Sequence, residues 1–328
     1  MKALVYTGPE ALDFRDMPDP GAFEGDALIR VEHVGICGSD MHAWAGHDER
    51  RPAPLILGHE AAGEVLSGPR PGRRVTVNPL VTCGACAECR GGRENLCAAR
   101  QIISMPPREG AFAERLSMPE RNLVTIPEGI STERAALAEP IACGWHAVRL
   151  ARRVLDRPIE EARCLVLGGG AIGFGAALVL AAAGVREIAV AETNPARRRI
   201  IARSGDFRVF DPTGEDMSDV DLVIDGVGFE ATRAAACRSV RPGGAIVHIG
   251  LGASSGGLDI RRMTLQEITF IGAYTYSRAD FLETAQAIFE GRLGALDWPE
   301  IRPLAEGARA FADIKAGRAA APKIILKP

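Results

Sequence analysis

Four cysteines crowd into a short stretch of this chain, and their spacing predicts a metal site. Two residues separate Cys83 from Cys86 and Cys86 from Cys89, and seven separate Cys89 from Cys97. A chain of this size can bury enough apolar surface to need no disulfide staples, so clustered thiols indicate metal binding first. Zinc suits four soft sulfur ligands in a tetrahedron, with two disulfides or an iron–sulfur cluster as the alternatives. Because four protein ligands leave no open position, the zinc predicted here is structural.

Three glycines predict a turn that binds the pyrophosphate of a dinucleotide. Gly168, Gly170 and Gly173 form the pattern G-x-G-x-x-G between an apolar strand-like run and an apolar helix-like run. Such glycines permit a tight turn and let a pyrophosphate approach the N-terminus of the following helix. The pattern is weak alone, but Glu192 lies 19 residues beyond the last glycine, at the end of the next strand-like run. Its carboxylate would accept hydrogen bonds from an adenosine ribose, which strengthens the prediction of a dinucleotide cofactor.

The residues around Glu192 bear on the choice between NAD and NADP. A carboxylate at this position repels a 2′-phosphate and favours NAD. Arg197, Arg198 and Arg199 follow, and arginines of this kind could hold that phosphate. Because a run of charge on a helix more often faces solvent, we expect a solvated face for the three arginines and a preference for NAD.

A thiolate, an imidazole and two carboxylates predict a second metal site. Cys37 begins the segment Cys37–His42, His59 and Glu60 are adjacent, and Glu139 precedes a proline. A histidine such as His59 is by itself more often a core residue. Together, however, these residues offer three protein ligands and leave a position for water, as catalytic zinc requires. Glu60 and Glu139 compete for the carboxylate position, and the spacing does not decide between them.

The elements that carry these residues fall into two patterns, which predict an α/β fold with two kinds of domain. The first 140 residues contain short β-type runs broken by Gly and Pro, typical of an irregular, mostly β domain. From about Glu161, strands alternate with helices, as in a doubly wound parallel sheet. The predicted strands are Ala3–Tyr6, Ala27–Val34, Ala61–Leu66, Arg74–Val77, Leu123–Ile126, Cys164–Leu167, Glu187–Ala191, Asp221–Asp225, Ala245–Ile249 and Lys323–Leu326, and the predicted helices are Ile172–Ala183, Glu230–Val240 and Arg278–Glu290.

Composition narrows the class of protein. The chain has 328 residues, 47% hydrophobic and 25% charged, with a net charge of −3, so we expect a globular chain of two domains. Neither nucleic acid nor an anionic membrane is an expected partner, since no long basic run occurs and aromatics are only 5%. The run Cys164–Val185 carries no charge over 22 residues, but its glycines favour a buried strand, turn and helix over a membrane span. No segment resembles a signal or transit peptide, and we expect a cytoplasmic protein.

Together, these motifs resemble the zinc-dependent alcohol dehydrogenases of the medium-chain dehydrogenase/reductase superfamily. The motifs occur in the family's order along nearly the whole chain: Gly35–His42, Leu57–Gly63, the cysteine cluster, Gly110–Glu114 and Gly168–Gly173. Glu139 with Pro140 is most similar to the polyol branch of sorbitol-type dehydrogenases, whereas ethanol-type enzymes carry a cysteine at the position of Glu139. Ala43 and Thr275 depart from that branch, which often has a tyrosine and an arginine near the substrate at these positions. Tyr276 is retained.

The resemblance implies a GroES-like, mostly β catalytic domain and a Rossmann domain, with the active site in the cleft between them. The GroES-like domain would span residues 1–142, with the structural zinc lobe at 80–100. The Rossmann domain would span residues 143–274, and residues 275–328 would return to the first domain. The chain would form a homodimer or homotetramer.

The resemblance also assigns roles to individual residues. Ser39 would hydrogen-bond the reacting oxygen, His42 would pass its proton to solvent, and Asp40 would orient a zinc-binding histidine. Two zinc ions per chain are expected, one catalytic and held by Cys37, His59 and either Glu60 or Glu139, and one structural and held by Cys83, Cys86, Cys89 and Cys97. The residues expected to bind NAD are Gly168, Gly170, Ile172, Gly173, Glu192, Arg197 and, beside the nicotinamide, Cys143.

The implied reaction is oxidation of a secondary alcohol, with zinc as Lewis acid and NAD as hydride acceptor. Polyols, sugar alcohols or related hydroxy compounds are the expected substrates, and a hydroxyamino acid or a simple alcohol is the alternative. A non-catalytic nucleotide-binding protein of the same fold is the alternative outside enzymes. That alternative predicts loss of Cys37, His59 or the glycine turn, and all of these are present.

Overall fold

The computed structural model describes residues 1–21 and 23–328 of the chain. The strands in these residues are β1 (Lys2–Gly8), β2 (Ala11–Asp16), β3 (Asp26–Gly35), β4 (Leu55–Ile56), β5 (Glu60–Ser67), β6 (Arg74–Val77), β7 (Leu80–Val81), β8 (Gln101–Ile102), β9 (Arg115–Pro119), β10 (Leu123–Thr125), β11 (Arg163–Leu167), β12 (Glu187–Ala191), β13 (Arg208–Phe210), β14 (Val220–Asp225), β15 (Val240–His248), β16 (Thr269–Gly272), β17 (Glu300–Pro303) and β18 (Ile324–Lys327). The α-helices are α1 (Gly38–Trp44), α2 (Ala87–Arg90), α3 (Thr132–Ala136), α4 (Ala138–Arg152), α5 (Ala171–Ala182), α6 (Pro195–Arg203), α7 (Glu230–Ser239), α8 (Ile260–Leu265), α9 (Arg278–Phe289) and α10 (Gly307–Lys315).

A mostly antiparallel sheet positions Cys37, His59 and Glu60. Its strands follow the order β10-β6-β5-β3-β18-β17, and β9 also pairs with β3. In β3 the buried side chains of Ala27, Ile29 and Val31 alternate with more exposed neighbours, because successive side chains of a strand point to opposite faces. These buried side chains belong to a core shared with the separate three-stranded sheet β2-β1-β4 and helix α10. The order of the strands places β18, from far along the sequence, directly beside β3.

The second large sheet is entirely parallel, with the order β13-β12-β11-β14-β15-β16. Residues of α4, α5 and α9 share a core with one of its faces, and residues of α7 and α8 cover the other. This is a doubly wound sheet, and the strand order reverses between β11 and β14. Ligands of such sheets bind outside the carboxyl ends of the strands at that point. The α/β fold class predicted from the sequence is confirmed.

The strands and helices predicted from the sequence are confirmed, with ends that differ by up to five residues. The uncharged run Cys164–Val185 contains β11, the glycine turn and α5, as predicted. Within residues 1–21 and 23–328, helices of the length and apolarity needed to cross a membrane are absent.

Helix α4 is the main element that the sequence did not predict. Eleven of its 15 residues are buried, so it lacks the polar face that makes a helical period readable. Pro140 lies in its first turn, where a proline costs a helix little. Glu139 lies in the same turn, so the unpredicted helix carries one of the predicted catalytic carboxylates.

The chain returns to the first sheet after α9. Residues of α9 are buried with those of α4 in the core of the second sheet, whereas β17 and β18 complete the first sheet. β18 runs antiparallel to β3, with Ile325 opposite Gly35. The domain bounds at residues 142 and 274 stay predictions.

Candidate active site and metal centres

The cysteine lobe, residues 83–97, brings its four thiols together. All four Sγ atoms lie within 4.8 Å of one another, with Cys97 3.6 Å and Cys89 3.8 Å from Cys83. A tetrahedral zinc with bonds of about 2.3 Å to sulfur requires sulfur–sulfur separations of about 3.8 Å. A disulfide requires about 2 Å, so the two-disulfide alternative does not describe this lobe. The thiols fit a closed zinc site.

Backbone N–H groups of the lobe stabilise the thiolate form of its cysteines. The amides of Ala85 and Cys86 donate to Cys83 Sγ at 3.5 and 3.4 Å, and these bonds lower the pKa of the Cys83 thiol to about 6. Cys89 N donates to Cys86 Sγ in the same way, at 3.5 Å. Cys97 is buried whereas Cys83 is exposed, so the lobe meets the body of the protein at its last cysteine.

Cys37, His59 and Glu60 form a second, separate group. One ligand atom from each lies within 4.8 Å of the others. Cys37 is the N-cap residue of α1, and Glu60 opens β5, whose pairing with β3 sets it opposite Gly35. A Cβ at residue 35 would lie 1.9 Å from Glu60 Oε2, so only glycine leaves room for this carboxylate.

Glu60 is held by a lysine that the sequence analysis missed. Lys323 Nζ donates to Glu60 Oε1 at 2.6 Å and to the carbonyl oxygen of Ile36 at 2.8 Å. Both side chains are buried, and although burial opposes a charged ammonium, Glu60 and Cys37 raise the pKa of Lys323. Glu60 Oε2 is buried without a hydrogen-bond partner among the described residues. Such an orphaned carboxylate oxygen beside a thiol and an imidazole fits a metal ion.

Asp40 is the buried carboxylate beside His59. Its Oδ1 lies 3.4 Å from His59 Nδ1, and its two oxygens accept hydrogen bonds from the backbone N–H groups of Cys37 and Gly58. Burial opposes charge on Asp40, yet the adjacent His59 lowers the pKa of the carboxyl. Burial also disfavours protonated His59, but Asp40 and Cys37 raise the pKa of its ring well above the ordinary value. The cluster therefore attracts positive charge, from a proton or from a metal ion.

Glu139 lies near this group but outside the three ligand atoms that converge. Its Oε1 accepts a hydrogen bond of 2.7 Å from the hydroxyl of Tyr276, and both side chains are buried. Burial, reinforced by the negative charge of Glu60, raises the pKa of Glu139 to about 7. Burial also raises the pKa of Tyr276 well above its ordinary value, so the phenol stays a donor. The sequence analysis noted Tyr276 as retained but did not foresee its contact with Glu139.

Ser39 and His42 lie on α1, just after Cys37, and both are half-buried. The buried Arg51 fixes this helix, since it donates to the carbonyl oxygens of Ser39, at 2.7 Å, and Ser104, at 3.1 Å. Hydrogen bonds from an ionised donor are stronger than neutral ones, so Arg51 ties α1 to the segment around Ser104. The helix thus presents Ser39 and His42 from a fixed base beside Cys37.

The glycine turn joins β11 to α5 at the crevice of the parallel sheet. A Cβ on Gly173 would lie 2.0 Å from the carbonyl oxygen of Gly168, so this residue must be glycine for the turn to close. Gly170 is the N-cap residue of α5, and Ile172 lies in the first turn of that helix. The helix N-terminus offers free N–H groups and a partial positive charge to a pyrophosphate.

Glu192 reaches back to this turn. Its Oε2 accepts a hydrogen bond of 2.9 Å from Gly169 N, and its Oε1 accepts one of 2.7 Å from Asn194 N. Arg197 Nη1 lies 3.4 Å from the same Oε2. Arg198 donates to the carbonyl oxygen of Glu192 at 2.7 Å. The solvated face expected for the arginines is therefore wrong for Arg197 and Arg198, because both return to the Glu192 segment; only Arg199 is exposed.

Cys143 lies one helical turn after Glu139 on α4 and is buried. Burial, with the negative charge of Glu139, raises the pKa of its thiol well above the ordinary value. Its sulfur is therefore a thiol and a weak nucleophile. Its expected place beside the nicotinamide stays a prediction.

A mostly β unit holds the two metal-type clusters, and a doubly wound sheet holds the dinucleotide turn. This combination fits the class of nucleotide-dependent metalloenzymes. Comparisons with known proteins narrow that class. Residues 23–128 match the model of the alcohol dehydrogenase GroES-like domain, and residues 171–290 match that of the zinc-binding dehydrogenases. The chain belongs to the zinc-dependent alcohol dehydrogenase family, and it is a zinc-binding dehydrogenase that acts on a CH–OH group.

Curated relatives resemble the chain over most of its length. The L-galactonate-5-dehydrogenase of Escherichia coli strain K12 is 34% identical over 313 residues, which cover 90% of this chain and 89% of the relative. The sorbitol dehydrogenase of Bacillus subtilis strain 168 is 31% identical over 297 residues, covering 84% and 83%. Among solved structures, the alcohol dehydrogenase TADH from Thermus sp. ATN1 superposes with a TM-score of 0.87 at 26% identity, covering 100% and 99%. The two curated relatives agree with the polyol branch that the sequence motifs suggested.

Proposed function

We propose that this dehydrogenase oxidises a secondary hydroxyl of a polyol or sugar-derived hydroxy compound at the group formed by Cys37, His59 and Glu60. The observation that carries the proposal is the convergence of these three ligand atoms within 4.8 Å in a chain of this family. The names of the relatives, an L-galactonate and a sorbitol dehydrogenase, support a polyhydroxylated substrate.

The three converging residues are the ones proposed to hold catalytic zinc. When bound, zinc would supply Lewis-acid polarisation of the substrate hydroxyl, and NAD would supply the hydride acceptor. Glu60 is preferred over Glu139 as the direct ligand, because its Oε2 is orphaned beside Cys37 and His59. Glu139 remains the second carboxylate, oriented by Tyr276 and near enough for mutual repulsion with Glu60.

The proton of the hydroxyl needs a path to water. Ser39 Oγ is proposed to hydrogen-bond the reacting oxygen, and the imidazole of His42 is proposed to carry the proton to solvent. Both residues are half-buried on α1, directly after Cys37. This position supports a path for the proton from the buried reacting oxygen to solvent. Asp40 keeps the ring of His59 oriented toward its partners.

The adenosine half of NAD is proposed to bind where Glu192 meets the glycine turn. Gly168, Gly170 and Gly173 would admit the pyrophosphate, Ile172 would lie beside it at the start of α5, and Glu192 would accept from the ribose hydroxyls. Arg197 Nη1, 3.4 Å from Glu192 Oε2, is close enough to contact the same ribose. Cys143, one helical turn after Glu139 on α4, is proposed to lie at the nicotinamide end.

Replacing Glu192 tests the cofactor site. Each ribose hydrogen bond to a carboxylate is worth about 1.5–3 kcal/mol, so Glu192→Ala should raise the KM for NAD and narrow its advantage over NADP. Glu187→Ala, an exposed carboxylate at the start of β12, is the control. Equal kcat/KM for NAD and NADP in the unmodified protein would show that the arginines control the choice instead.

A substrate screen tests the reaction itself. NADH formation should be measured across polyols, sugar acids, hydroxyamino acids and simple alcohols, with metal analysis on the same sample. We expect the highest kcat/KM with a polyol or sugar acid and two zinc ions per chain. A clear preference for a hydroxyamino acid would overturn the substrate class, and fully active protein with one zinc or none would overturn the metal sites.

We further infer a cytoplasmic homo-oligomer. Eight free cysteines suit a reducing compartment. Strand β16 ends the parallel sheet, and the side chains of Leu251, after β15, and of Ile260 and Leu265, on α8, are 71%, 62% and 72% exposed. An outermost strand and exposed apolar side chains each favour pairing with a second copy. Leu265→Glu should then lower the molar mass measured by light scattering, and an unmodified protein of monomeric mass would contradict the inference.

A further inference from the structure

The loop between β16 and α9, residues 273–277, runs from the active site to the cysteine lobe. At the active-site end, Tyr276 donates its hydroxyl hydrogen bond to Glu139. Two residues earlier, Tyr274 lies against the lobe. The loop therefore joins the active site and the lobe, although Glu139 and Asn95 lie 137 and 179 residues away from their partners in the loop.

Two residues on either side of Cys97, Asn95 and Arg100, contact Tyr274. The side-chain amide of Asn95 donates to the carbonyl oxygen of Tyr274 at 2.8 Å, across 179 residues of sequence, and Asn95 is only 3% exposed. The guanidinium carbon of Arg100 lies 5.1 Å from the centre of the Tyr274 ring, and Arg100 also donates to the carbonyl oxygen of Cys97 at 2.9 Å. The backbone and the ring of Tyr274 are thus both held by residues that flank Cys97.

Thr275, between the two tyrosines, has a strained backbone that depends on these contacts. Thr275 has a φ of +46°, in the left-handed region that β-branched residues rarely adopt. A backbone held there persists only when the surrounding contacts determine it. Beyond Tyr276, Ser277 N and Oγ both donate to Asp280 Oδ2 at 2.8 Å, which anchors the loop to α9. The loop is fixed at Ser277 by α9 and at Tyr274 by the lobe, with the strained residue and Tyr276 between them.

We propose that Asn95 is a positioning residue through which the cysteine lobe sets the place of Tyr276 and hence the orientation of Glu139. The lobe then does more than stabilise the fold: its closed metal site fixes one end of the loop that orients a carboxylate of the reaction. This inference rests on the proposed function, because it requires Glu139 and Tyr276 to take part in turnover.

The test compares Asn95→Leu, which removes the donor, with Leu96→Ala, an exposed neighbour on the same 3₁₀ helix, as the matched control. In the zinc-loaded enzyme, Asn95→Leu should lower kcat about tenfold while the KM for NAD and the two zinc ions per chain are retained. Asn95→Asp is a second variant, which keeps the shape of the side chain but lacks the amide donor. It should show the same loss of kcat, and it replaces Asn95→Leu if the leucine variant folds poorly. Leu96→Ala should leave kcat unchanged.

A double-mutant cycle with Tyr276→Phe separates positioning from general destabilisation. If Asn95 acts through Tyr276, the effect of Asn95→Leu on kcat should vanish in the Tyr276→Phe background. Multiplied effects, or loss of the lobe zinc in both Asn95 variants, would overturn the proposal. If Tyr276→Phe alone had full activity, the role of Glu139 in the proposed function would fail as well. If Asn95→Leu alone had full activity while Tyr276→Phe was impaired, only the coupling would fail.

Hydrogen exchange supplies a readout independent of turnover. In zinc-loaded Asn95→Leu, backbone amides of residues 272–280 should exchange faster than in the unmodified enzyme, while those of residues 83–90 should be unchanged. Unchanged exchange in 272–280 would show that the lobe does not hold the loop, and would overturn the proposal.

Discussion

The cysteine lobe and the group around Cys37 assemble their ligands in different ways. All four thiols of the lobe come from fifteen consecutive residues, and backbone amides of the same loop support the sulfur atoms. Cys37, His59 and Glu60 come from two strand ends, and their supports are Asp40, on a helix, and Lys323, directly before β18. One site is local and closed, and the other depends on the register of the sheet. Metal loss should therefore affect the two sites differently.

Replacing Cys37 should separate the sites most completely. Cys37→Ser removes the soft ligand of the open group, so turnover should fall by at least about 10⁴-fold. Zinc should fall from two ions per chain to one, measured by metal analysis, with the lobe intact. Cys237→Ser, a buried thiol in the core of the parallel sheet, is the control and should keep its turnover. Retention of both ions by Cys37→Ser would contradict the assignment.

Replacing Cys97 should instead affect stability. A structural zinc contributes its binding free energy to folding, so Cys97→Ser should lose one zinc and lower the Tm by about 10 °C or more. Calorimetry and zinc analysis measure the two effects. Leu96→Ala, beside it, should change neither. An unchanged Tm after loss of the lobe zinc would show that the lobe is not a stabilising element.

Lys323 offers a test that links charge to metal. Breaking a buried ion pair from one side costs about 3–5 kcal/mol, because it leaves the other charge unpaired. Lys323→Met should therefore destabilise the metal-free protein by about that amount in urea unfolding, and the zinc-loaded protein by less, because the ion would compensate Glu60. Lys327→Met, an exposed lysine at the end of β18, is the control. Equal losses with and without zinc would argue against Glu60 as a ligand.

Replacing Glu60 and replacing Glu139 should affect turnover alike but zinc binding differently. Glu60→Gln and Glu139→Gln should each lower kcat by about 10- to 1000-fold, or about 1.4–4 kcal/mol of barrier. Only Glu60→Gln should also weaken binding of the catalytic zinc, measured by dialysis against a chelator. Both variants should keep the lobe zinc. Full activity in Glu139→Gln would make that residue a bystander, and the assignment to the polyol branch would lose its main residue.

The sequence predicted what depends on local spacing. The cysteine lobe and the glycine turn each lie in one short segment, and strands such as β12 stand out by composition and by the turns around them. Helix α4 did not stand out, because burial on nearly every side removes the helical period. Its first turn carries Glu139, which the sequence offered as a candidate ligand without showing the helix that positions it.

Two contacts of the open site, those of Lys323 and Tyr276, could not be predicted from the sequence for a different reason. Lys323 lies 263 residues from Glu60, and Tyr276 lies 137 residues from Glu139. Their roles follow from the pairing of β18 with β3 and from the path of one loop, which no local pattern encodes. A signal was present for Lys323 alone: a charged residue that opens an apolar strand-like run. Such a lysine is worth treating as a buried partner when a carboxylate is predicted in the core.

The place of β18 also orders events during synthesis, which proceeds from the N-terminus. The cysteine lobe has all its ligands once Cys97 has left the ribosome. Glu60 is synthesised before Cys97, but its partner Lys323 is translated 263 residues after Glu60. The strand that follows Lys323, β18, therefore pairs with β3 only after β5 and β9 have been synthesised. A nascent chain can thus bind zinc at the cysteine lobe long before Lys323 is present to pair with Glu60. The ion pair that balances Glu60 can therefore form only after the parallel sheet has been synthesised.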